Sequence, residues 1–191
     1  AVDTAGNQLP YLDRVQLTLA ENPEVFNLRA SAVEYDYRER FIDLAKLPVF
    51  LENAARGKYK VHLDPGFNGS DSELKFNFAY RLDPEIQKWF ANLEFRRALA
   101  LGIDRDQINE AFFLGLGVPG TPIPADNIPE SPGKDWRQRW ATLDVAKANA
   151  MLDAIGLKKR DAEGFRVRTD NGERLRFQND VAQTLSPTWP Q

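Results

Sequence analysis

Apolar and polar positions change period along this chain. Over residues 93–122, Phe95, Ala98, Leu99, Gly102 and Ile103 recur at three- and four-residue spacing, which predicts a helix with one apolar face, while Arg96, Arg97 and Ala100 point elsewhere. Asp104 stands where an N-cap belongs, with Gln107 three residues on, and Ile108, Ala111 and Phe112 restart the stripe in a second helix. Gly115 and Gly117 supply stops, and Pro119 forbids continuation. Further helices are predicted over 23–32, with Val25, Leu28 and Ala32 on one side, and within 43–57, where Pro48 suits a first turn and Gly57 a stop. A helical turn opens at Asp83-Pro84-Glu85 and runs through Trp89 and Phe90. Thr142 is expected to cap a last helix, whose face is Val145, Ala148, Leu152 and Ile155 and whose end is Gly156.

Elsewhere the period is two. Val15, Leu17 and Leu19 alternate with Gln16 and Thr18; Tyr59, Val61 and Leu63 alternate with Lys60 and His62; Leu74, Phe76, Phe78 and Tyr80 share a face against Lys75, Asn77 and Ala79. Phe165, Val167 and Thr169, then Asp170-Asn171-Gly172, then Leu175 and Phe177 form a hairpin signal with Asn-Gly at its turn. Residues 5–7, 65–72 and 121–140 are turns and loops by composition. Short strands among several helices predict one α/β (mixed α+β) domain over 1–191.

Charge removes some function classes. The formal net charge is -3, with 25 basic residues scattered among 28 acidic ones, so no footprint for nucleic acid or a membrane surface appears. No apolar run approaches the ~18 residues of a membrane span. The absence of cysteine fits any redox compartment. The chain opens on AVDTAGN with no signal-like segment, its only methionine is Met151, and it closes on LSPTWPQ without a capped element, which together read as a piece cut from a longer protein.

The chemistry-bearing residues point away from catalysis. Glu34 and Asp36 could be paired as acid and base, but residues i and i+2 of an extended segment share a face, and solvated acids there are ordinary. The single histidine, His62, has one aspartate beside it, too few ligands for a metal and no nucleophile for a triad. Gly115 and Gly117 end a helix, whereas a phosphate loop opens one. Trp136 and Trp140, four apart, could stack on a sugar or peptide, although covering a core from one turn of helix is the commoner use. No cofactor and no metal are expected.

The run F-R-R-A-L-A-L-G-I-D-R-D-Q-I, followed by G-L-G-V-P and P-I-P, resembles the peptide/nickel-type extracellular solute-binding proteins, family five, of ABC importers. The segment D-T-A-G-N-Q-L-P-Y-L-D-R-V, the aromatic strand at 74–80 and the order D-V-A-K-A-N-A-M-L-D-A-I-G-L, G-F-R-V-R, N-G-E-R-L-R-F agree with it in sequence; Ala32 to Tyr37 agrees more loosely, lacking the family's glycine. The resemblance implies a fragment of the second lobe of a bilobal fold of the periplasmic-binding-protein type II kind, a short mixed sheet flanked by helices. It implies capture of peptides or another small solute (nickel complexes, opines, sugars) outside the cytoplasmic membrane, delivery to a membrane permease, and no catalysis. It places the parent protein in the periplasm or outside the cell, with a lipid anchor open. On that basis Asn77, Phe78 and Tyr80 are expected on a cleft-facing strand and Trp136 or Trp140 as stackers. Two other readings stay open: a protein-protein interaction module on the same lobe, and a hydrolase using paired carboxylates. Self-association through a surface that another lobe would cover is a further expectation.

Overall fold

The computed structural model describes residues 1–64, 70, 72–124 and 126–180. These fall into two compact units, Ala1–Lys60 and a second that begins at Val61. The expected loop at 65–72 and the C-terminal LSPTWPQ lie mostly or wholly outside the described residues.

In the first unit, α1 (Pro23–Ser31) starts behind Asn22, whose side chain accepts from the Val25 N–H. The expected apolar face of this helix is not its buried one: Leu28 is exposed and Asn27 is the buried residue. The Asn27 amide donates to the Pro23 and Phe41 carbonyls and its Oδ1 accepts from the Asp43 N–H, so a polar anchor pins the following loop. After a 3₁₀ turn at Leu44–Lys46, α2 (Leu47–Gly57) buries Leu47 and Phe50. The chain leaves α2 through Lys58 in the left-handed region, φ 54°. Gly57 is there because of space: a Cβ would lie 2.6 Å from the Tyr59 ring, which is held by a 2.6 Å bond from its hydroxyl to the Phe50 carbonyl.

The second unit contains α3 (Pro84–Ala91), α4 (Leu93–Leu101), α5 (Arg105–Phe113), α6 (Lys134–Gln138) and α7 (Val145–Ala154). Asp83, Asn92, Asp104 and Asp144 cap α3, α4, α5 and α7 by accepting from first-turn N–H groups. The α7 cap is therefore Asp144, where Thr142 was expected. Asp144 carries a carboxylate two residues nearer the helix, while Thr142 stays exposed. The central hairpin is as expected at Asp104, but α5 ends one residue before Gly115, at Leu114 with φ 54°. Helix α4 packs chiefly on α7 and also on α3. The core they enclose holds Ile86, Trp89, Phe90, Phe95, Ala98, Leu152 and Leu157, with Phe76, Tyr80 and Leu175 packed against it. Leu157 is wholly buried, a placement worth about 1.5–3 kcal/mol. Edge-to-face contacts at 5.5 Å join Phe90 to Phe76 and to Phe177.

Among the described residues no regular strand forms, so the expected short mixed sheet is not seen; the pairings are isolated bridges Val2 with Gln8, Arg160 with Arg166, and Val167 with Arg174. The 165–177 hairpin survives in this reduced form, closed by the Arg168 N–H on Glu173 and the Leu175 N–H on Arg166. The 15–19 segment is extended but solvated, with Leu17 and Leu19 about nine-tenths exposed. Alternation specifies a face, and a strand also needs a partner to bond with. The 74–80 segment breaks for a local reason. Asn77 Oδ1 accepts from the Ala79 N–H and its carbonyl from the Tyr80 N–H, a turn that sends Phe76 and Tyr80 to the core and leaves Phe78 exposed.

Candidate functional site

Each residue expected to bind ligand has contacts of its own within the fold. Asn77 is spent on its own turn, Tyr80 lies 5.9 Å from the Phe90 ring at the edge of the core, and Phe78 faces out beneath the Arg96 guanidinium, 4.7 Å from its ring. Trp136 and Trp140 are both reached by cations. Arg139 stands 3.8 Å over Trp136; Arg97 and Lys147 stand 4.8 and 5.1 Å over Trp140. Neither indole is thus a bare platform.

Trp140 is the last residue of a constrained loop. Its φ of 60° lies in the left-handed region, which costs an aromatic residue about 1–3 kcal/mol and persists only where the surroundings impose it. They do so through Arg105, whose guanidinium donates to the carbonyls of Ala100, Gly120 and Ala141, tying the end of α4, the Pro-rich exit and the residue after Trp140 to one side chain. Burial pushes the Arg105 guanidinium below its ordinary pKa, and the carbonyl bonds stand in for lost water. The Asp144 N–H donates to the Leu101 carbonyl at 2.9 Å, fixing the start of α7 to the end of α4. Between these parts lies a cavity of about 390 Å³ lined by Arg97, Leu101, Arg139, Trp140, Thr142 and Lys147. The sequence reading found Trp140 and missed the cations, because in a chain of evenly scattered charge only the fold shows which basic residues meet.

A second cavity, of about 560 Å³, is lined by Leu82, Asp83, Pro84, Glu85, Lys88, Arg168 and Asp170. Arg168 bonds both Asp83 and Asp170, and the Glu85 carboxylate accepts from Trp89 Nε1 and from the N–H and hydroxyl of Thr169. The bond from Arg168 holds Asp83 below the usual carboxylate range and brings Asp170 down to about 2. Burial pushes Glu85 up, but the bonds from Thr169 and Trp89 outweigh it and the net direction is down. With its charges matched internally, this cluster acts as a clamp between the hairpin and α3. Among the described residues no set of three or more His, Cys, Asp or Glu side chains is grouped to hold a metal ion, and His62 is exposed. Glu34 meets Arg29 at 3.6 Å.

The family described as bacterial extracellular solute-binding proteins, family 5 Middle, matches residues 5–190. The chain belongs to that family. Within family 5, it is 28% identical over 184 residues to the periplasmic alpha-galactoside-binding protein of Rhizobium meliloti, covering 86% of this chain and 24% of that one. It is 26% identical over 184 residues to a probable ABC transporter-binding protein of Deinococcus radiodurans, covering 92% of this chain and 29% of that protein. Among solved structures the oligopeptide-binding protein OppA is similar at a TM-score of 0.61 and 36% identity, over 91% of this chain and 28% of OppA. This family-5 chain thus spans 24–29% of the length of these relatives, and the likeness to OppA supports a type II periplasmic-binding fold. No helix among the described residues is long and apolar enough to cross a membrane.

Proposed function

We propose that this chain is part of the second lobe of the binding component of an ABC importer. It captures peptides outside the cytoplasmic membrane, hands them unchanged to a permease, and performs no catalysis. The observation that carries the reading is the match to family 5 across residues 5–190, and the 36% identity to an oligopeptide-binding protein favours peptide as the solute. In such a device two lobes close about the ligand by a hinge, so the site is shared and one lobe holds only half of it. Phe78 and Trp136, which are exposed, and the half-buried Trp140 are the aromatic contacts we assign to this half; Asn77 and Tyr80 set the turn that presents Phe78.

A second reading, α-galactosides as the solute, is favoured by the printed function of the Rhizobium relative. Calorimetric titration decides between them. A pool of di- to pentapeptides and an α-galactoside are titrated into this chain and into a chain of the relatives' full length that contains it. Peptide heats with the long chain alone, and ligand recovered intact, are the expected result. Heats from the galactoside alone replace the peptide assignment; tight binding of a protein partner by this chain alone replaces the transport reading; turnover replaces the non-catalytic one.

A further inference from the structure

The cavity between α4, α7 and the Trp140 loop has a property that solute capture by the aromatic residues leaves unused. Its lining contains three cations, Arg97, Arg139 and Lys147, with one hydroxyl, Thr142, and no acid. Arg97 alone has a carboxylate, Glu94 at 2.6 Å, while among the described residues Arg139 and Lys147 have none. Asp144, the acid at the start of α7, has its Oδ1 engaged by the Lys147 backbone N–H. Like charges gathered over one indole repel one another, and their free forms are stabilised by an anion brought between them. The Arg139 and Arg97 guanidinium groups stand over the indole rings at 3.8 and 4.8 Å, and the N–H edge of a guanidinium is the part of an arginine that matches an oxyanion. The frame is stiff, because Arg105 and the Asp144-to-Leu101 bond hold the parts together.

From this we infer that the cavity is an oxyanion site, with Arg139, held over Trp136, and Lys147, held over Trp140, as the charged donors, Thr142 as the neutral one and Trp140 as a wall. The inference shares Trp140 with the transport proposal but goes beyond it, since it concerns a site whose lining lies within this chain. The chemistry it recognises is a phosphate or carboxylate group, supplied either by a free solute or by the headgroup of an anionic lipid.

The test uses the chain as described. Inorganic phosphate is titrated at constant ionic strength, with chloride as the replaced anion, and the amide and indole N–H resonances are followed by NMR. Saturable shifts centred on Trp140, Thr142 and Lys147 are expected with a Kd of about 1–10 mM. The double variant Arg139→Gln/Lys147→Gln, at two exposed positions, is expected to weaken binding at least about tenfold while leaving the far-UV circular dichroism unchanged. Glu94→Gln, which frees Arg97 from its carboxylate, is expected to tighten it. A parallel arm uses phosphatidylglycerol vesicles with phosphatidylcholine vesicles as control. Saturation by free phosphate assigns the site to solutes, and charge-dependent vesicle binding without it assigns the site to headgroups. Absence of both, or shifts that persist in the double variant, overturns the inference.

Discussion

Removing the Glu85 carboxylate should destabilise the second unit by an amount that depends on Trp89. Glu85 is 8% exposed; besides a long 3.5 Å contact from the half-exposed Lys88 ammonium to Oε2, its Oε1 accepts from three donors: the Trp89 indole at 2.8 Å, the Thr169 N–H at 3.0 Å and the Thr169 hydroxyl at 2.6 Å. In Glu85→Ala the donors fare differently. Thr169 is exposed, so water replaces the lost acceptor at small cost. Trp89 is 2% exposed, and its indole N–H would be left buried without a partner, a penalty of about 1–3 kcal/mol. Adding the two solvated bonds, at about 0.5–1 kcal/mol each, gives a loss on the order of 2–5 kcal/mol for Glu85→Ala. In a Trp89→Phe background the buried donor is already gone, so the same substitution should cost about 1–3 kcal/mol less, and the difference is the coupling energy of a double-mutant cycle. Urea unfolding of the four proteins, followed by circular dichroism with midpoint and slope fitted separately, measures it. Equal costs of Glu85→Ala in both backgrounds, at unchanged slopes, would refute the claim that the orphaned indole dominates.

Acid should weaken the same clamp. Asp170, at about 2 in the fold against an ordinary 3.8, and Asp83, shifted the same way, bind protons more readily when unfolded, so their stabilisation is complete above about pH 4 and is lost as pH falls through the folded values; Arg168→Gln should flatten that part of a pH-midpoint profile. Gly57→Ala should destabilise the first unit, since overpacking against the Tyr59 ring at 2.6 Å and Val33 at 2.8 Å, about 1–3 kcal/mol, exceeds the helix-propensity gain of up to about 1 kcal/mol; hydrogen exchange of α2 amides reads the sign. Leu17, Leu19, Leu82 and Val118 are at least three-quarters exposed, and we expect the chain to self-associate, so sedimentation velocity showing only monomer at high concentration would exclude it.

Local signals placed the helices well because caps and stops act within one turn. Asp83 before Pro84, Asp104 before Arg105 and the Asp170-Asn171-Gly172 turn each satisfy backbone groups a few residues away, and each was legible without tertiary information. The same short range explains the near misses, such as Asp144 capping α7 in place of Thr142, where two competent residues lie close together.

What sequence alone could determine were the helices other than α6, which lies in the expected loop 121–140, most of their caps, and the family to which the central hairpin points. Tertiary structure decided which face of α1 is buried, because Asn27 has partners at Phe41 and Asp43 that no local period announces. It decided that the alternating segments remain without a sheet among the described residues, since a ladder needs a second backbone. It also decided the cationic cavity: Arg97, Arg139 and Lys147 are far apart along a chain of mixed charge, and only the packing of α4 on α7 with the Arg105-held loop brings Arg97 and Lys147 to the Trp140 indole and Arg139 to the same lining.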